Sequence, residues 1–146
     1  MIEAIFPSRR ADDEEGEAVV LELRGRDGYG SGAYGAPRGD RTHRGIDFKA
    51  PAGAAILSPV SGEVSKLGYP YSDDFSYRYV EVTTRSGLKH RLFYVDPMVK
   101  VGDKIAVGQP LGLAQHIAAR YDEHLMNNHI HYEVMLRNKH INPTSL

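Results

Sequence analysis

Residues 77–84 (YRYVEVTT), the turn Arg85-Ser86-Gly87 and residues 88–95 (LKHRLFYV) decide the fold. Side chains alternate along 77–84, the period-two pattern of a half-buried strand, and the β-branched and aromatic content suits a pleated surface. Three turn residues then send the chain back, so the two runs form an antiparallel hairpin.

Beyond the hairpin, residues 99–112 (VKVGDKIAVGQPLG) read as two short pieces around Gly102-Asp103 and Gly108-Gln109 turns. Residues 115–126 are the one helix expected, about three turns long. Residues 128–136 (NHIHYEVML) form a last strand, and Asn142-Pro143 ends the structure. Before the hairpin, residues 45–48, 55–57 and 62–67 are short strands separated by Pro51, Gly53, Pro59 and Gly62. Residues 27–40 are a connector in which Gly28, Gly30, Gly32, Gly35 and Gly39 are spaced too irregularly for a helix. Residues 18–23 (AVVLEL) add a strand, and the acidic run 12–17 is a solvated loop. Many short strands with frequent turns predict a mostly β chain. The expected fold is a small antiparallel β-sandwich or open barrel-like sheet with one short helix, a single domain over 1–146 with its core at about 18–146.

Composition narrows the function classes. Lys and Arg total 18 against 19 Asp and Glu, a balance that points to neither nucleic acid nor a membrane surface. There is no cysteine, so disulfides and thiolate zinc sites are excluded and any metal must be held by histidine and carboxylate. Residues 1–10 (MIEAIFPSRR) lack an apolar run long enough for a signal peptide or membrane helix. The expectation is a chain made without a leader; a trimmed exported fragment would read the same.

Two short motifs carry metal chemistry. His43-Arg44-Gly45-Ile46-Asp47 places an imidazole and a carboxylate four residues apart. A straight strand would separate them by about 13 Å, so sharing one ion requires a bend near Arg44-Gly45, which glycine permits. In His129-Ile130-His131 the two imidazoles share one strand face while Ile130 takes the other. One of the two can bind the metal; the other can stand beside the metal water as base or donor. Either motif alone is common on protein surfaces. His90, His116, His124 and His140 read as structural or exposed.

Together the motifs resemble the lysostaphin-like (LytM-type) zinc endopeptidases, which cut peptide cross-links of bacterial cell walls. The resemblance covers about residues 27–146. It rests on Tyr34-Gly35, Arg38, His43 to Asp47 (HRGID), Ala50-Pro51-Ala52-Gly53, residues 59–64 (PVSGEV), Val101-Gly102-Asp103-Lys104, Gly108-Gln109 and His129-Ile130-His131. It implies zinc ligands at His43, Asp47 and His131 and a histidine beside the metal water at His129. Within the family the chain is similar to the leukocyte cell-derived chemotaxin branch. It shares the spacing of Gly30, Gly32, Tyr34, Ala36, Arg38, Arg41, His43, Gly45 and Asp47, the run Phe93-Tyr94-Val95-x-Pro97, and Asn142-Pro143-Thr144. That branch is disulfide-bonded and believed to lack peptidase activity.

One departure bears on catalysis. The family has Tyr-x-His-Leu on the strand before the Val-Gly turn, and counting back from Gly102 puts its histidine at Tyr94. His90, four residues earlier, is expected on the same face but about 13 Å along, with Phe93 and Val95 on the other face. The resemblance implies a zinc endopeptidase on peptidoglycan cross-links with His129 and Tyr94 as catalytic groups. The alternative is a weak or inactive zinc module that recognises cell wall or a protein partner, with His124 or Tyr94 as a fourth ligand. A wall-directed domain without an export signal fits a virion-associated phage tail or lysis component, working with phage structural proteins on the cell envelope.

Overall fold

The structure, a computed structural model, describes residues 4–8, 17–21, 26–27, 30–31, 33, 35, 37–38, 41–42, 44–122, 124 and 126–143. The acidic residues 12–16 and most of the glycine-rich connector lie outside them. In the first part, β1 (Ala4–Ser8) pairs antiparallel with β2 (Glu17–Leu21), β3 (Arg26–Asp27) with β4 (Gly30–Ser31), and β5 (Pro37–Arg38) with β6 (Arg41–Thr42). The strand expected at 18–23 therefore lies at β2.

Ten further strands follow: β7 (Ile46–Lys49), β8 (Ala55–Leu57), β9 (Gly62–Gly68), β10 (Tyr79–Thr83), β11 (Lys89–Phe93), β12 (Val95–Pro97), β13 (Lys104–Ile105), β14 (Pro110–Ala114), β15 (His129–Leu136) and β16 (Lys139–Ile141). The expected hairpin is present as β10 and β11, paired from Tyr79↔Phe93 to Thr83↔Lys89. It sits inside a larger sheet ordered β13-β9-β10-β11-β15-β16. β7 pairs with β15 at residues 129–132 and β16 pairs with it at 134–136, so both occupy the same edge in succession. A smaller sheet, ordered β12-β14-β8, covers one face of the larger.

Strand alternation separates the two faces of the larger sheet. Ile46, Phe48, Val64, Val80, Val82, Leu92, Ile130, Tyr132 and Val134 point into the core, where Ile56, Val95, Leu111 and Ala114 of the smaller sheet meet them. Each fully buried Leu, Ile or Phe contributes roughly 1.5–3 kcal/mol by leaving water. Asp47, Glu81, His129, His131 and Glu133 fall on the opposite face. The mostly β antiparallel fold is as the sequence predicts.

Three local expectations need correction. Among the described residues of the helix expected at 115–126, the helical ones form a single 3-10 turn, Ile117–Arg120. Asn128 explains this: its Oδ1 accepts from the Ala118 N–H, and its Nδ2 donates to the carbonyls of Gln115 and Ala50. The Gln115 carbonyl, which would start an α-helical ladder, is thereby engaged by a side chain. Asp122 Oδ1 accepts from the His124 N–H, an Asx turn that breaks the segment again. The chain also does not end its sheet at residue 136. Arg137 (φ 52°) and Asn138 (φ 65°) form a two-residue turn with both central residues left-handed, the geometry that suits strand twist, and β16 returns along β15. Finally, β11 stops at Phe93 and β12 belongs to the other sheet, with Tyr94 (φ 69°) between them. No described helix is long and apolar enough to cross a membrane.

Candidate metal centre

The antiparallel register of β7 on β15 places Asp47 directly opposite His131, with His129 two residues along on the same face. Asp47 Oδ1 lies 2.7 Å from His131 Nδ1, and Asp47 Oδ2 lies 3.7 Å from His129 Nε2. Asp47 is 2% exposed and His129 4%, while Ile130 between the histidines is fully buried in the core. The shared imidazole face expected of His129-Ile130-His131 is present.

The chain bends at Gly45, as the H-R-G-I-D spacing requires, but the reason for glycine is different. Gly45 does not adopt a left-handed backbone. Its Cα packs directly against β15: a Cβ there would collide with the Tyr132 carbonyl oxygen and lie 2.9 Å from Cε1 and Nε2 of His131. Absence of a side chain lets the segment leading into Asp47 run under the His131 ring.

Hydrogen bonds fix the protons on both rings. His129 Nδ1 lies 2.8 Å from the Asn127 carbonyl, which can only accept, so Nδ1 carries a proton, and Nε2 is turned toward Asp47. His131 has a carboxylate at each nitrogen: Asp47 at Nδ1 and Glu133 Oε1 at Nε2, 3.0 Å away. Burial pulls the His131 pKa down, but the hydrogen bonds to Asp47 and Glu133 outweigh it and raise the pKa to about 9. Burial likewise favours protonation of Glu133, and the bonds to His131 and His140 overcome it and hold the carboxyl below its usual range. Glu133 Oε2 accepts from His140 Nε2 at 3.0 Å. Neither Glu133 nor His140 was a sequence candidate. The signal for Glu133 is the strand period itself, since it stands two residues beyond His131 as His131 does beyond His129.

Tyr94 and Phe93 close the neighbouring side. Because Tyr94 is left-handed, alternation fails there, and the expected division of faces is overturned. The Phe93 ring packs edge-on to His131 (5.2 Å between centroids) and the Tyr94 ring edge-on to His129 (5.7 Å). His90, expected to share a face with Tyr94, points into the core, where Nδ1 meets the Tyr132 hydroxyl at 2.6 Å. Tyr71 stacks on Tyr94 (6.2 Å, 9°), with its hydroxyl 3.4 Å from that of Tyr94 and 2.8 Å from that of Tyr121. Arg120 lies over the Tyr71 ring at 3.6 Å and pairs with Asp73. Burial pushes the Tyr94 phenol pKa up, so it stays protonated and can donate a hydrogen bond but not act as a base.

Residues 41–143 match Peptidase family M23. The chain belongs to peptidase family M23. Among its relatives, leukocyte cell-derived chemotaxin-2 of Bos taurus is 28% identical over 112 residues, covering 77% of this chain and 72% of the relative. Peptidoglycan DD-endopeptidase ShyB of Vibrio cholerae is 31% identical over 99 residues, 66% of this chain but only 21% of ShyB. The fold is shared with the catalytic domain of the prophage-encoded M23 protein EnpA from Enterococcus faecalis, solved as a point mutant. That match has a TM-score of 0.62 and 20% identity, covering 94% of each chain.

For an M23 chain the question is whether the residues suit a metal. His43 lies outside the described residues, and among those described no three His, Asp or Glu side chains form a metal-ligand group. What is described fits: a carboxylate oxygen and an imidazole nitrogen converge at 2.7 Å. The second nitrogen of that imidazole pairs with Glu133, so an ion shared by His131 and Asp47 would take the place of the hydrogen bond at Nδ1. Oxygen and nitrogen donors of this kind suit zinc. His124 is exposed in the loop before β15, and His116 is exposed at the start of the 3-10 turn.

Proposed function

We propose that this M23 chain is a zinc metalloendopeptidase that hydrolyses peptide bonds in bacterial peptidoglycan. The observation that carries the reading is the convergence of Asp47 and His131 at 2.7 Å, with His129 Nε2 3.7 Å from the same carboxylate. Asp47, His131 and His43 would hold the ion. When bound there, zinc supplies Lewis-acid polarisation of the scissile carbonyl and lowers the pKa of the attacking water. His129 takes up a proton at Nε2 while the Asn127 carbonyl keeps Nδ1 protonated and the ring oriented. Tyr94 donates its hydroxyl proton toward the developing oxyanion, a role open to a phenol that stays protonated. Phe93 and Tyr94 wall the histidines from solvent on one side, which strengthens the polar interactions inside. Action at the cell envelope, delivered by a phage particle or at lysis, belongs to the same proposal and fits the prophage origin of a protein with this fold.

Two observations favour a second reading, a zinc module without turnover. The Tyr94 ring is stacked under Tyr71 with the two hydroxyls 3.4 Å apart, and leukocyte cell-derived chemotaxin-2 of Bos taurus is similar to this chain over 72% of its own length. Tyr94→His separates the two. Zinc-loaded wild type and variant are incubated with purified peptidoglycan and new amino termini counted. The enzyme reading expects wild-type turnover and a change in rate on substitution, up to the roughly 10²–10⁴-fold span of one acid–base group. Inertness of both proteins on several wall types, with zinc bound, would refute it.

A further inference from the structure

His131 is held at both nitrogens, and the group behind it is itself held. Glu133 follows His131 by two residues on the same face of β15. Its Oε1 lies 3.0 Å from His131 Nε2 and its Oε2 lies 3.0 Å from His140 Nε2. With a histidine on each oxygen the carboxylate cannot rotate freely, and its side chain is only 13% exposed. Arg91 stands directly opposite Glu133 on β11 and would compete for it. Its guanidinium turns instead to Glu81, 2.6 Å away on β10, which leaves Glu133 to the two histidines. His140 reaches Glu133 because β16 pairs Met135 with His140, one diagonal step from Glu133. That register is set by the left-handed turn Arg137-Asn138; a slip of one residue would turn His140 to the other face.

We infer that Glu133 is a positioning residue for a divalent-cation site at His131, and that His140 fixes Glu133 in that role. The inference rests on the metal reading above. A carboxylate on the far nitrogen does two things for a metal-binding imidazole. Once an ion replaced the hydrogen bond between Nδ1 and Asp47, the carboxylate would hold the remaining proton at Nε2, leaving the Nδ1 lone pair for the ion, and it would increase the basicity of the ring. His140, on the other oxygen, removes the alternative rotamer in which Glu133 swings away. Neither residue touches substrate in this arrangement.

The test is zinc affinity of the full chain, measured by competition with a chromophoric chelator, for wild type, Glu133→Ala, Glu133→Gln and His140→Ala. Metal-free melting curves are taken alongside. The expected result is a loss of about 10–100-fold for Glu133→Ala, the range for outer-sphere partners of metal histidines. Glu133→Gln, which keeps an acceptor for His131 Nε2–H, recovers part of the loss, and His140→Ala lies between wild type and Glu133→Ala. A structural role alone would move the melting temperature without this order. The absorption bands of the cobalt(II)-substituted protein should also shift in Glu133→Ala. If wild type binds zinc and folded Glu133→Ala or Glu133→Gln binds it equally well with an unchanged cobalt spectrum, this inference is overturned and the metal site stands. If folded wild type binds no zinc, the metal reading falls and this inference falls with it.

Discussion

Gly45→Ala tests the idea that close backbone approach, not left-handed geometry, is why a glycine stands between Arg44 and Ile46. The added Cβ would meet the Tyr132 carbonyl oxygen and lie 2.9 Å from two atoms of the His131 ring. Carbon contacts are comfortable at about 3.5–4.0 Å, so the ring or the strand must move by roughly 0.6–1.1 Å. The ring has little freedom, being tied to Asp47 on one side and Glu133 on the other. The Tyr132 carbonyl belongs to β15 itself, at the position paired with Ile46. Relief therefore comes from β7 parting from β15, at the cost of about 1–3 kcal/mol typical of overpacking. For a chain of this size that is a fall in melting temperature of roughly 3–10 °C. Because Asp47 is two residues on, the same displacement lengthens the Asp47–His131 approach and weakens zinc binding. Melting of the metal-free protein and chelator competition for zinc read the two effects. Should Gly45→Ala melt with wild type and bind zinc equally, the packing argument is wrong.

Two further predictions follow from the same geometry. His131→Ala should lose zinc and the stability that metal binding adds, whereas His129→Ala should keep zinc and lose hydrolysis; equal metal loss from both would show that the roles are not divided. His90 sets an acid limit: burial pushes its imidazole down to about 4, so between pH 6.5 and 4 the unfolded chain takes up a proton that the folded chain refuses. Stability from this group is therefore full above pH 6.5 and falls by up to about 3 kcal/mol as pH drops toward 4. Urea midpoints across that range should slope less for His90→Leu than for wild type, and identical slopes would remove His90 as the cause.

What the sequence made legible was whatever obeys strand periodicity. The hairpin at 77–95 and the shared face of His129 and His131 follow from residues two apart pointing the same way, and the need for a bend before Asp47 follows from the rise along a strand. The errors cluster where one residue suspends that rule. Tyr94 is left-handed, so Phe93 and Tyr94 both reach the histidines and His90 goes to the core instead of sharing their face. Asn128 diverts the Gln115 carbonyl, so a segment of good helical composition makes, among its described residues, a single 3-10 turn. Arg137 is an unusual residue for a left-handed turn position, so the strand that carries His140 leaves a weak trace in the sequence. His43 lies outside the described residues, and its part in the site rests on the family resemblance.

Strand β15 joins folding and chemistry more tightly than a loop-borne site would. Its even-numbered residues, Ile130, Tyr132 and Val134, are core; its odd-numbered residues, His129, His131 and Glu133, line the candidate centre. A rotation of the strand that exposed one set would bury the other, so core packing holds the imidazoles in register without any contribution from the metal. Tyr94 is the exception. A left-handed bulky residue costs on the order of 1–2 kcal/mol relative to an ordinary backbone. Hydrogen bonds offset this: the Tyr94 N–H donates to the Arg78 carbonyl, and the Tyr94 carbonyl accepts from Gln115 N–H. The Gln115 side chain completes the clamp, accepting from Arg78 N–H and donating to the Ser76 carbonyl. An ordinary backbone at this position would continue the alternation of β11 and send the ring to the core side. The strain is what keeps a phenol beside His129. Tyr94 is thus built into the floor of the site by its backbone, and replacing its side chain alone leaves that architecture standing, which is why Tyr94→His is a fair test of chemistry rather than of folding.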